Sequence, residues 1–340
     1  MRGLKIGIAA LCSVVWGNAT ALAQTPADWD KLVAAAKAEG VVTLYTGLVG
    51  NKTSKQIADG FRAKYGIRVD VLEVRATELR ERIRTEKVSN RVLADVMNTS
   101  GLQTREISAG DDTIETYGAL PGLAVLTPEI QAGWEDRGVH LPIFNLRYGL
   151  LVNTALAPQP PKTYADLLDP KWKGRILADE FRAAGGGQSF FAVTHDKFGK
   201  AYHEKMVTQG VVFTRDQRAA ERRIATGEFA IYLPFLLNYL PSLKGLPVKG
   251  VVLEEGATYT PYSASMIKNA PHPNAARLLM DYMISKEAQG FYAAEGLGAV
   301  IAGVDDQAPE EVRSLSTKLL GTRALDPQDT MARLATEMYK

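Results

Sequence analysis

Residues 40–47 read Gly40-Val41-Val42-Thr43-Leu44-Tyr45-Thr46-Gly47. Six apolar or β-branched residues between two glycines form a short continuous apolar run, as expected of a strand buried on both faces. A strand of that kind needs helices on either side. Before it, Trp29, Leu32, Val33 and Ala36 recur at helical spacing from near Asp28, and Gly40 ends the helix. After it, Ile57, Phe61 and Tyr65 mark a second helix that stops at Gly66. Ile67–Leu72 is a second strand, Leu79–Val88 a third helix and Leu93–Met97 a third strand. The order β-α-β-α-β, with connections of this length, predicts a parallel sheet and an α/β fold.

Farther along, two extended runs exceed ordinary strand length. One is Pro142-Ile143-Phe144-Asn145-Leu146-Arg147-Tyr148-Gly149-Leu150-Leu151-Val152, and the other spans Tyr259–Ile267. Long extended segments suit a chain that crosses between two lobes. Between them, Arg175–Ala178, Phe229–Leu233 and Val248–Leu253 read as strands, and Ala219–Thr226 as a helix. A helix from Pro273 to Ile284 follows, then a polar, helical tail beyond Asp305 with Val312, Leu315, Leu319 and Leu320 as its apolar stripe. The chain has 340 residues, which suggests two domains.

The first 23 residues read as a secretory signal. Arg2 and Lys5 precede the apolar Ile6–Trp16, and Ala21-Leu22-Ala23 is a small-x-small cleavage site. Removing them takes the formal charge from +2 to zero, so nucleic acid is not an expected partner. The single cysteine, Cys12, leaves with the signal, which excludes thiolate chemistry and disulfides in the mature chain. The expected location is the periplasm. No Gly-x-Ser-x-Gly elbow and no His-Glu-x-x-His pair occurs, so an enzyme is the weaker expectation.

Several segments together resemble the type II periplasmic solute-binding proteins of ABC transporters, nearest the ferric-iron-binding-like branch. They are Trp29–Gly47, Phe61–Val69, Ala94-Asp95-Val96, Tyr164–Ile176 and Pro271–Gln289. The resemblance implies two α/β lobes, each a mainly parallel sheet flanked by helices, with two crossing hinge strands near Asn145–Tyr148 and Thr258–Tyr262. It places residues 24–144 and 262–304 in lobe 1, and 145–261 and 305–340 in lobe 2. It also implies a solute in the cleft, hinge closure, an inner-membrane permease as partner, and no cofactor. A monomer is the expected state.

Cleft residues are sought at the carboxyl ends of strands and at helix N-termini. In lobe 1 these are Thr46 and Gly47, Arg75 and Thr77, and Thr99 and Ser100; Thr77 reads equally as the N-cap of the helix that follows it. Arg147 lies in the first crossing strand. In lobe 2, Arg182 precedes a glycine loop ending Gly187-Gln188-Ser189, whose backbone N–H groups suit an anion. The branch's ferric members use an adjacent tyrosine pair, whereas this chain has Tyr239 followed by Leu240. The expected cargo is therefore a small organic anion, a carboxylate or phosphate ester, held by Arg75, Arg147 and Arg182. The alternative is ferric iron with a synergistic anion, which would use Tyr239. The four histidines show no metal spacing and mostly fall in surface-like segments.

Overall fold

The structure is a computed structural model. It describes residues 26–50, 52–101, 105, 112–134, 137–183, 185–324 and 329–340, apart from the side chains of residues 26, 76 and 77. The expected signal and its cleavage site lie outside these residues.

Eleven strands are described: β1 (Val41–Thr46), β2 (Arg68–Glu73), β3 (Val96–Ser100), β4 (Ile114–Glu115), β5 (Leu141–Asn153), β6 (Ile176–Asp179), β7 (Val212–Thr214), β8 (Ile231–Leu236), β9 (Val248–Val251), β10 (Ala257–Ile267) and β11 (Leu319–Gly321). They form one mixed sheet in the order β2-β1-β3-β10-β5-β8-β6-β7, with β4 and β11 on β10 and β9 on β5. The parallel pairs β2-β1-β3 and β8-β6-β7 lie at opposite ends. The two overlong runs join them. β5 and β10 pair antiparallel from Thr258↔Tyr148 to Ala264↔Leu141. β10 gives its carboxyl half to β3 and its first residues to β11. β5 gives its carboxyl half to β8 and β9.

Side-chain alternation explains why strands such as β6 and the carboxyl half of β5 are apolar with hardly a break. Val42 and Leu44 face one core, and Tyr45 faces another. Likewise Leu150 and Val152 pack on one side of the second lobe's sheet and Leu151 on the other, as do Ile176 and Ala178 against Leu177. Helices cover both faces, so both sets of alternate residues are removed from water. The largest core is built from helices Pro26–Glu39, Lys52–Tyr65, Pro273–Met283 and Lys286–Ala294 packed on β1, β3 and the start of β5. Core membership switches between Phe144 and Leu150, between Leu253 and Ala264, and between Val304 and Val312.

Three expectations change. The third strand runs later than expected, so Asn98, Thr99 and Ser100 belong to β3 and pair with Ala264, Ser263 and Tyr262, not to a loop after it. Polar side chains on a central strand hid its true extent. The tail is not one amphipathic helix. It holds a short helix at Glu310–Arg313, strand β11 over Leu319–Gly321, and a helix at Thr330–Met338. A three-residue strand is too short to show period 2. Finally, the third helix starts at Ala76 with Arg75 in the N-cap position, so Thr77 is inside the helix and is not its cap; its side chain is outside the description.

Candidate functional site

A cavity of about 480 Å³ lies over β5 and β10 where they cross, between the two sets of parallel strands. Its floor is Pro142, Asn145, Leu146 and Tyr148 of β5 and Tyr259–Ser263 of β10. Lobe 1 contributes Ser100, Gly101, Arg105, Ile130, Gly133, Trp134 and His140. Lobe 2 contributes Gly185, Gly186, Gln188 and Ser189 at the start of helix Gly186–Phe198. Thr322, Arg323, Ala324 and Asp329 close the remaining side.

Three of the twelve residues sought from sequence, Ser100, Gln188 and Ser189, line this cavity. Thr46 is buried at the end of β1, where its Oγ1 accepts from the Leu48 N–H at 3.1 Å. Gly47 packs beside it, donating to the Asn98 carbonyl at 2.8 Å; a Cβ there would stand 3.1 Å from Thr99 Oγ1. Thr99 itself is buried in β3. None of these three reaches the cavity. Arg75 is exposed at the start of its helix, away from the cavity.

The two remaining arginines are also engaged elsewhere. Arg147 sits between Leu146 and Tyr148, which line the cavity, so strand alternation sends it the other way. Its Nη1 donates to the Ser316 carbonyl at 3.3 Å and its methylenes lie against Gly298. Its Nε is buried without a partner among the described residues, and burial lowers its pKa from the usual arginine value. Arg182 forks onto Glu180 (2.6 and 2.7 Å), donates to the Tyr339 carbonyl at 2.9 Å and lies over the Phe213 ring at 5.0 Å. It fastens the C-terminal segment to lobe 2. Tyr239 has Arg218 over its ring at 5.0 Å and does not line the cavity.

The glycine loop is built for close approach, but to the protein's own backbone. A Cβ on Gly187 would lie 2.5 Å from the Glu180 carbonyl oxygen and 2.6 Å from that of Asp179. The Gly187 N–H donates to Asp179 Oδ2 at 2.7 Å, so a half-buried carboxylate already occupies that helix N-terminus. Burial raises the pKa of Asp179 more than this bond lowers it.

Sequence reasoning missed the cavity's main cation. The Arg323 side chain is only 9% exposed. It donates to Gln188 Oε1, and through Nη2 to Asp329 Oδ1 at 3.4 Å, while its Nε is buried without an acceptor among the described residues. Gln188 returns a long bond to the same Asp329 oxygen, also 3.4 Å. Arg323 follows β11, whose pairing with the start of β10 delivers it to the cavity. The only signal in the sequence was Leu319-Leu320-Gly321 before it. Arg105 is a second cation on the lining.

The other wall is aromatic. Trp134 donates its indole N–H to the His140 carbonyl at 2.6 Å, and Tyr262 stacks on Phe144 at 4.6 Å. His140 is buried, with Nδ1 2.7 Å from Ser265 Oγ, and His203 is buried between Thr194 and Tyr339. Neither is the surface residue its segment suggested. The floor hydroxyls of Tyr148 and Thr260 are 3.3 Å apart. Burial raises the pKa of both Tyr148 and Tyr262, the latter to about 12, so both are neutral donors at physiological pH.

Comparison with known proteins agrees with this architecture. The chain is 29% identical over 134 residues to an uncharacterised protein of Haemophilus influenzae, a stretch covering 39% of that protein. It is 23% identical over 344 residues to a Salmonella typhimurium protein assigned by name to periplasmic binding of 2-aminoethylphosphonate, covering 95% of this chain and 93% of that one. Among solved structures, a Trichodesmium protein in complex with iron and citrate matches with a TM-score of 0.69 at 20% identity, over 88% of this chain and 97% of that one. The fold is therefore the two-lobed periplasmic-binding-protein fold. The family model for bacterial extracellular solute-binding proteins matches residues 123–318, which include both crossing strands and most of lobe 2, and the chain belongs to that family.

Proposed function

We propose that this solute-binding protein captures a small organic anion in the cavity at the strand crossing and hands it to an ABC permease in the inner membrane. The observation that carries the reading is Arg323. It is a buried guanidinium on the cavity wall. Among the described residues its acceptors are one amide oxygen and one carboxylate at 3.4 Å, and that carboxylate is largely exposed. A buried cation with unmet donors is costly, and an anion that supplies acceptors recovers that cost. Gln188, Ser189 and Ser100 add neutral donors around the same space. The Salmonella relative's name points to an anionic phosphonate, which is the same chemistry.

In this reading the chain acts after removal of residues 1–23, as a periplasmic monomer without catalysis. Lobe 1 is residues 24–144 and 262–304; lobe 2 is residues 145–261 and 305–340. Closure twists β5 and β10 and brings Arg323 and Gln188 toward Ser100 and Arg105. Among the described residues no helix is long and apolar enough to cross a membrane.

Isothermal titration of the purified mature protein with carboxylates, phosphonates and phosphate esters tests this. At least one anion should bind, and Arg323→Gln should weaken it at least thirtyfold, about 2 kcal/mol, as expected for a charge-assisted contact. If the variant binds every anion as tightly as the wild type does, the reading is wrong.

Ferric iron carried with an organic anion is the second reading. It is favoured by the likeness to the iron- and citrate-bound fold, and by Tyr148, Tyr239 and Tyr262 lying within electrostatic range of one another. Iron bound by phenolate would colour the protein; a colourless protein under saturating ferric citrate excludes that mode.

A further inference from the structure

We infer that the cargo is an amphiphilic acid, with its anionic head at Arg323 and a flat apolar or aromatic body against the wall formed by Trp134, Ile130 and Tyr259. This rests on the anion reading above and names the class of anion.

The cavity's size already limits what fits it. Liquid water occupies about 30 Å³ per molecule, so a cavity of 480 Å³ holds about sixteen waters' worth of space. A bare tetrahedral oxyanion or a two-carbon acid would leave most of it wet. Cavities of this volume suit ligands with a substantial organic body.

The distribution of chemistry is the second observation. Apart from Arg105, the charged and amide groups of the lining collect where helix Gly186–Phe198 meets the chain after β11: Arg323, Gln188 and Asp329 are bonded to one another there. The lobe 1 wall is different. Trp134 has its only polar atom occupied by the His140 carbonyl, so it offers a ligand only hydrocarbon edge and π-face. The Tyr259 hydroxyl reaches toward Gly133, one residue before Trp134; a Cβ on Gly133 would lie 3.4 Å from it. Ile130 lies one helical turn earlier, in the short helix Pro128–Ala132. Floor residues Pro142, Pro261 and Leu146 add no side-chain donor. The patch formed by Trp134, Ile130 and Tyr259 brings no cation to the lining, and it gains from excluding water with a ring.

Matched probes with one head group separate body from head. Phenylphosphonate and methylphosphonate are titrated into the mature protein by calorimetry, with benzyl alcohol as a neutral aromatic control. Phenylphosphonate should bind at least tenfold more tightly than methylphosphonate, and benzyl alcohol should not bind measurably. Trp134→Ala should narrow the ratio to less than threefold, and Trp134→Phe, which keeps a ring and guards against misfolding, should restore most of it. Equal affinity for the two phosphonates overturns this inference and leaves the anion reading standing. Binding of benzyl alcohol alone, or of neither phosphonate, overturns this inference, and the anion reading falls with it only if no carboxylate or phosphate ester binds either.

Discussion

Gly187→Ala isolates the most specific claim about lobe 2: that the glycine is required by the protein's own backbone and not by the ligand. The added methyl would meet the Glu180 oxygen at 2.5 Å, the Asp179 oxygen at 2.6 Å and the Asp179 carbonyl carbon at 2.7 Å. All three are backbone atoms at the end of β6, so none can rotate aside. The helix start must move, and with it goes the 2.7 Å bond from the Gly187 N–H to Asp179. Overpacking of this kind costs about 1–3 kcal/mol. Losing a bond to a charged, half-buried carboxylate adds about 1.5–3 kcal/mol. Together they give about 2.5–6 kcal/mol, offset by about 0.5–1 kcal/mol from removing a helical glycine. For a lobe of this size each kcal/mol lowers the melting midpoint by about 2–4 °C, so the expected fall is at least about 3 °C. Calorimetric unfolding of the ligand-free protein measures it directly. Gly186→Ala is the control, since the nearest atoms to its methyl would all belong to side chains, Tyr148 at 3.0 Å and Asp179 at 3.4 Å, and none to backbone. If Gly187→Ala melts no earlier than Gly186→Ala, the close-approach argument is refuted.

Two further outcomes follow from buried groups. His203 is held neutral, its pKa lowered to about 3 first by burial and then by His195 nearby. The unfolded chain protonates it near 6.5, so between about pH 6.5 and 3 the unfolded state binds the extra proton. Stability from this residue is therefore full above pH 6.5 and falls by up to about 1.4 kcal/mol per pH unit below it. Urea midpoints measured across that range should flatten in His203→Asn, and an unchanged slope would remove His203 as the cause. Asp95 is fully buried and accepts from the Thr43 N–H at 2.7 Å, the His272 N–H at 2.7 Å and His272 Nδ1 at 2.9 Å. Asp95→Ala strands those donors and should cost about 3–5 kcal/mol in denaturant unfolding, while solute affinity, measured at a temperature where the variant is folded, stays within threefold.

The fold was legible because its signals are local and strong. Gly40 to Gly47 carries a doubly buried strand in eight residues, and the lengths of β5 and β10 alone announced a crossing. The site was legible only in part. Ser100, Gln188 and Ser189 were found because each lies at a strand end or a helix start, positions that sequence reveals. Arg147 and Arg182 were sound guesses by residue type, yet type does not say which face of a strand a side chain takes, or that Glu180 stands two residues from Arg182 with its fork already aligned. Arg323 was missed for the opposite reason: the only mark near it in sequence is the three-residue Leu319-Leu320-Gly321, too short to read as a strand. Its place is set by β11 pairing with a strand about sixty residues earlier, a relation that only the folded chain contains.

That pairing also orders events in time. The cavity gathers residues from Ser100 to Asp329, and its main cation comes late in the chain. A polypeptide still being synthesised, or still threading through an export channel, can assemble much of both cores before Arg323 is available. Until β11 docks, the cleft has its aromatic wall and hydroxyls but lacks that cation. A chain ending before β11 would keep Arg105, Gln188 and the Trp134 wall but lose Arg323, and with it Ala335 and Tyr339 of the second lobe's core, so the same short tail both completes the cavity and closes the lobe beneath it.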